Sequence, residues 1–232
     1  MPTEMRWNKL TRQQNMSLQE FLSLTPLLFI ALATIAGTIS VNKTSPAYLK
    51  VFAVFLWLML SVEVTGNIIA LKGINNQWLY NSFIIVMYLV IPYVYYYLLR
   101  NELLRKLILF YFFAFSVFVI INTVKWQPFA QFQTNHVVFG GSFIFLLAAA
   151  YFWQLYQADD TKRITRDTGF WFSIGLLLYY GVHVPMLGML NYLWEHYPKF
   201  ITNYFIVVAS IFSILLNLCF AIGYLCRRTI RR

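Results

Sequence analysis

Apolar positions in this chain come in long unbroken runs. Seven of them, near 21–41, 48–71, 77–99, 104–123, 133–156, 168–193 and 200–226, are each long enough to cross a hydrocarbon core of roughly 30 Å as a helix. Barrel strands would need only about ten residues of alternating polarity, and that alternation is absent. Helices remain, because backbone groups in lipid must pair within their own segment. The pattern predicts an all-α, polytopic membrane protein. Seven transmembrane helices fill residues 20–226, an extracytoplasmic segment covers 1–19, and a basic cytoplasmic tail covers 227–232. The connections are short, in the range of ordinary helix–helix loops, and leave no room for a soluble catalytic or output domain.

Composition agrees with the pattern. Of the 232 residues, 60% are apolar, 19% aromatic and 11% charged, where a soluble domain carries about 25% charged residues. Ser17-Leu18-Gln19-Glu20 has capping-box spacing for the start of the first helix. No short apolar core with a small-residue cleavage site precedes it, so the first span is expected to stay in the mature protein. Cys219 and Cys226 are seven residues apart on one helix, about 10 Å along its axis, too far for a disulfide with each other.

Charge selects the orientation. Seven spans put Lys43, Lys50, Arg100, Arg105, Lys106, Lys162, Arg163, Arg166 and the four arginines of the tail on one side, twelve in all. Arg6, Lys9, Arg12, Lys72, Lys125 and Lys199, six in all, fall on the other. Basic residues concentrate in the cytoplasm, so the amino terminus is expected outside and the tail inside. The net charge of +10 sits beside helix ends, where it meets lipid headgroups. Membrane lipids, and not nucleic acid, are the expected partners of this charge.

An internal repeat emerges between the two ends of the chain. Val62-Glu63-Val64 lines up with Val182-His183-Val184 at an offset of 120, and Asn81 through Val86 lines up with Asn203 through Val208 at an offset of 122. Helices 1–3 would then repeat as helices 5–7, with helix 4 as linker. Such parallel repeats place a shared site between the halves, near the middle of the membrane.

The polar residues inside the spans carry the candidate chemistry. Glu63 is the only acidic residue in the interior of any span, and an ionisable group there marks a functional site by default. Asn67 follows at i+4 on the same face. His183 lies at a matching depth in helix 6 and is the expected partner of Glu63. Pro185, two residues on, deletes the backbone hydrogen bond to Gly181 and is expected to kink the helix there. Asn81, Asn122, His136, Asn191 and Asn203 cluster toward the outer ends, while Gln154 and Asn217 lie toward the cytoplasm. Glu63, His183, Asn67, Asn81, Asn203 and His136 therefore form the expected ligand- or proton-binding set, in a cavity open to the outside. Structural alternatives stand beside each: a protonated Glu63 bonded to a neighbouring helix, a packed histidine, and asparagines that merely cap helix ends. Tyr93, Tyr95, Tyr96 and Tyr97 near Arg100, and the tryptophans and tyrosines at other helix ends, read as interfacial belts.

No phosphate loop, His-Glu-x-x-His run or Gly-x-Ser-x-Gly elbow occurs. Three scattered ligands without a spaced motif do not make a metal site. No catalytic residue, metal or cofactor is predicted. Retinal binding of the microbial-rhodopsin kind needs a lysine within the last helix, and only Lys199, at its mouth, is near.

Glu63 through Asn67, Trp78-Leu79-Tyr80-Asn81, Phe170-Trp171 and Leu178-Tyr179-Tyr180 together resemble a group of bacterial seven-helix integral membrane proteins of about this length. That resemblance implies the fold and a multi-pass place in the bacterial cytoplasmic (inner) membrane, and implies no activity. The 3+1+3 plan is also similar in outline to the sugar-transporting SWEET family, whose halves carry Pro-Gln motifs; helix 5 here has no proline. Three functions fit these features. The first is binding or transport of a small solute or protons at the polar site. The second is a seven-helix sensor signalling to a separate cytoplasmic partner. The third is an intramembrane enzyme acting on lipid with Glu63 or a histidine as acid or base.

Overall fold

A computed structural model describes residues 25–158 and 161–230. The capping box at Ser17–Glu20 and the basic residues Arg6, Lys9 and Arg12 lie outside the described residues. The described chain is helical: α1 over Thr25–Ser40, α2 Ala47–Leu71, α3 Gln77–Leu98, α4 Glu102–Ile121, α5 Thr134–Gln157, α6 Thr168–Gly188, α7 Leu190–His196, α8 Pro198–Asn203 and α9 Ser210–Ile230. Wide turns with i→i+5 bonding follow α4 at Asn122–Trp126 and precede α9 at Tyr204–Ala209. Six helical stretches are long and apolar enough to cross a membrane, and α1 is a shorter apolar helix over its described part.

The middle spans start and stop within two residues of their expected bounds, and the causes are local. Asn101 caps α4 by accepting from the amides of Leu103 and Leu104. Gly73, at φ 71°, ends α2: its N–H bonds to Ala70 and that of Ile74 to Ile69, the paired closure that a left-handed residue allows. The expected span 168–193 is shorter. It ends at Gly188, three residues beyond Pro185, and α7 begins at Leu190. The last span is assembled from α8, a wide turn and α9, where one continuous helix was expected.

The centre of the bundle is α6, packed between α5 and α9, while α2 packs on α3 and α3 on α5. Lipid gives helices no hydrophobic reason to associate, so close approach and hydrogen bonds must do it. Close approach comes from rings seated on glycines. A Cβ at Gly140 would meet the Tyr88 ring at 2.5 Å, and one at Gly223 would meet the Phe172 ring at 2.9 Å. Hydroxyls then bond across helices: Tyr224 to the Leu49 carbonyl at 2.9 Å, Thr168 to the Gly223 carbonyl at 2.9 Å, and Tyr95 with Ser173 at 2.8 Å. Gln154 takes the Arg100 amide at 2.6 Å and donates to Leu98, tying α5 to the end of α3. Helix α4 is peripheral, joined to α5 mainly by aromatic stacking such as Tyr111 on Phe143, 3.9 Å between centroids.

Gly140→Ala is expected to lower stability by about 1–3 kcal/mol, because the Tyr88 ring has to move out of a packed core. Gly181→Ala, where the nearest atom lies 3.4 Å from the new methyl, should be neutral or slightly stabilising. Thermal unfolding of the two variants in one detergent checks the contrast.

Candidate functional site

A cavity of about 660 Å³ opens between α2, α3, α6 and α9, with α7 contributing to its wall. Each helix presents one stripe to it. Phe55, Met59 and Glu63 are spaced four apart on α2; Leu176, Tyr179, Tyr180, His183 and Leu187 fall on one face of α6; Ser213, Leu216 and Phe220 do so on α9. The walls are mostly apolar, with aromatic and aliphatic side chains in similar measure. Among the described residues that line the cavity, Glu63 is the only acid and no lysine or arginine is present.

Glu63 is half-buried, and its Oε2 accepts a hydrogen bond from the Tyr80 hydroxyl at 3.3 Å. Gly66, one turn further along α2, makes this contact geometrically possible, because any Cβ there would collide with the Tyr80 hydroxyl. The Asn76 amide donates to the Gly66 carbonyl at 3.0 Å, fixing the turn that carries Tyr80. His183 is buried. Its ring stacks on Tyr179 with centroids 3.9 Å apart and planes 14° from parallel. Nδ1 lies 2.9 Å from the Tyr179 carbonyl. A carbonyl only accepts, so Nδ1 carries the proton and Nε2 of the neutral ring is left as an acceptor.

The two central residues of the expected set thus line one cavity, but no hydrogen bond joins them. The others lie elsewhere. Asn67 donates its amide to the Glu63 carbonyl at 2.8 Å, serving the backbone of α2, and is not in the cavity wall. Asn203 is exposed. Asn81 is fully buried one residue round α3 from Tyr80, away from the cavity. Its amide donates to Phe129 and Gln131, and its oxygen accepts from the Gln133 amide. His136 belongs to the same polar cluster. The Asn122 amide donates to its Nε2 at 3.3 Å, which puts the ring proton on Nδ1. Gln127 bridges to Thr134 at 2.7 Å, and Asn135 to Asn122 at 2.8 Å. This cluster clamps the loop between α4 and α5; it does not line the outer approach to Glu63. Pro185 lies one turn below the end of α6, where the chain turns into α7 and its Leu190 and Trp194 reach the cavity.

Tyr80, Tyr179 and Trp194 line the cavity and are absent from the set expected from the sequence, where Tyr80 and Tyr179 stand only in the motifs that carry the family resemblance. One signal was present: Gly66 stands three residues after the lone acid, the spacing at which a neighbouring ring can lie across α2 toward the carboxyl. Among the described residues no three His, Cys, Asp or Glu side chains gather as a metal site.

Asn81→Ala removes the partner of three loop backbone groups, of which the buried Gln133 amide costs about 1–3 kcal/mol if left unmade. The variant is expected to unfold at lower temperature and to show faster hydrogen exchange in residues 127–133, with Glu63 and its surroundings unchanged.

No protein-family model matches this chain, and neither a curated protein nor a solved structure matches it.

Proposed function

We propose that this is a seven-span membrane protein, α1 being the first span, that binds a small solute in the cavity between α2, α3, α6 and α9 and carries it, or protons, across the bilayer. Glu63 and His183 are its working polar groups. One observation carries the reading: the lone acid and a buried imidazole, from the interiors of two different spans, face the same cavity. Ionisable groups at that depth are too costly to keep as filler. The volume, about 660 Å³, suits a ligand of modest size. The aligned positions of Glu63 and His183 favour a parallel repeat with its site between the halves. Asn81 and Asn203, paired in the same alignment, have diverged, one buried and bonded and the other exposed.

The charge bias supports an amino terminus outside and the arginine-rich tail in the cytoplasm of a bacterial cell. A reporter active only in the cytoplasm is expected to work when fused after Arg232 and to fail when fused before Met1; the reverse pattern would overturn the orientation.

Glu63→Gln and His183→Ala should each reduce solute binding or uptake without lowering the amount of folded protein in the membrane. Full activity in the double variant would remove the basis of the reading. Membrane vesicles with matched expression are the assay.

A further inference from the structure

Among the described residues, the walls of this cavity contain one carboxyl group and no permanent cation. A carboxylate in apolar surroundings needs a counter-charge, and a hydroxyl dipole is not one. Glu63 has the Tyr80 hydroxyl at 3.3 Å and forms no ion pair with any described residue. Its counter-charge is therefore either a proton or something the ligand brings. The remaining surface narrows the choice. Phe55, Tyr80, Phe83, Tyr179 and Trp194 present rings to the same space, and ring faces attract cations. An anionic solute would find no lysine or arginine and would be repelled by the acid. A sugar-like solute would strand most of its hydroxyls against rings and aliphatic groups.

We propose that the cavity selects a monovalent, amphipathic ammonium ion whose charged nitrogen replaces the proton on Glu63. The inference rests on the cavity being the solute site. Binding is an exchange: the cation enters, the carboxyl gives up its proton to solvent, and the net charge of the cavity is unchanged. Affinity for the cation then rises with pH, about tenfold for each pH unit over which Glu63 is protonated in the empty protein. Among the described residues, the other titratable groups facing the cavity are Tyr80 and Tyr88 from α3 and Tyr179, Tyr180 and His183 from α6; the walls from α5, α7 and α9 bring none. Of these only His183 could acquire a positive charge and so imitate the effect, which makes it the necessary control.

The full-length protein in lipid nanodiscs is titrated with three probes of similar size: phenyltrimethylammonium, its uncharged carbon isostere tert-butylbenzene, and benzenesulfonate. Empty nanodiscs provide the baseline, and proton release is followed in weak buffer. The cation is expected to bind saturably and to release one proton, with benzenesulfonate not binding. Glu63→Gln should weaken cation binding by about tenfold or more and abolish its pH dependence while retaining tert-butylbenzene, which also certifies that the variant's cavity is folded. Glu63→Asp should keep the cation preference, and His183→Gln should keep the pH dependence. Equal affinity for the cation and its isostere, unaltered by Glu63→Gln, would overturn the ammonium proposal and leave the cavity reading intact. A pH dependence lost in His183→Gln would overturn the exchange at Glu63. Failure of every probe to bind saturably, or binding that survives filling the cavity with Met59→Trp, would overturn the cavity reading and the proposal with it.

Discussion

Rings lying on bare backbone hold this bundle together. Where lipid replaces water, two helices gain little by hiding apolar side chains from a solvent that is itself apolar, so association depends on how closely the backbones approach and on what bonds they form when they do. Tyr88 over Gly140, Tyr180 against Gly141, Tyr151 over Gly169 and Phe172 over Gly223 are four instances of one device. Each large ring fills the notch left by a missing side chain, and several of the same tyrosines send a hydroxyl past the contact to a group on another element, as Tyr151 does to Asp167 at 2.6 Å. Packing and hydrogen bonding are supplied by the same residue. The Tyr80–Gly66 contact extends this device into the site, where the hydroxyl meets Glu63 and not a backbone group.

Two polar regions follow from that architecture, and they differ in what their groups are bound to. Around Asn81, Asn122 and His136, amides are spent on loop carbonyls and on one another, which is how a polar cluster stabilises a connection in a setting where unmade hydrogen bonds are costly. Glu63 and His183 each have one hydrogen-bonded neighbour, Tyr80 and Tyr179, and border the cavity. The first arrangement is bonded largely within itself, with buried His136 Nδ1 and Gln133 Oε1 left over. The second has its unused bonding capacity facing a cavity, and that placement, more than the identity of the residues, separates a structural asparagine or histidine from one positioned to meet a ligand.

The spans were legible in the sequence because length and hydropathy alone determine which segments can leave water, and the bounds of α2 through α5 follow from that. Orientation of each helix about its axis was much harder to read. A soluble helix shows its buried face by the contrast of apolar and polar residues, but here the lipid face and the core face are both apolar. Val54 is exposed and Phe55 buried, with nothing in their chemistry to tell them apart. So Glu63 and His183 could be found by their cost, while Asn81 and His136, equally conspicuous in the sequence, could not be assigned to loop or cavity. Pro185 was visible as a missing donor. That the helix would stop at Gly188 and hand two residues of α7 to the cavity depends on tertiary packing that no local rule encodes.

The wide turn at Tyr204–Ala209 has a consequence for how the last span is used. One extra residue per turn shifts the helical phase by about one position, on the order of 100°, so the surface that α8 presents is rotated relative to the surface that α9 presents. Asn203 thereby looks outward from the protein while Ser213, ten residues on, looks into the cavity. A single span is split by this into two stretches under separate demands: the first is anchored by buried Ile201 while Asn203 faces outward, and the second stays bound to the shape of the chamber it walls.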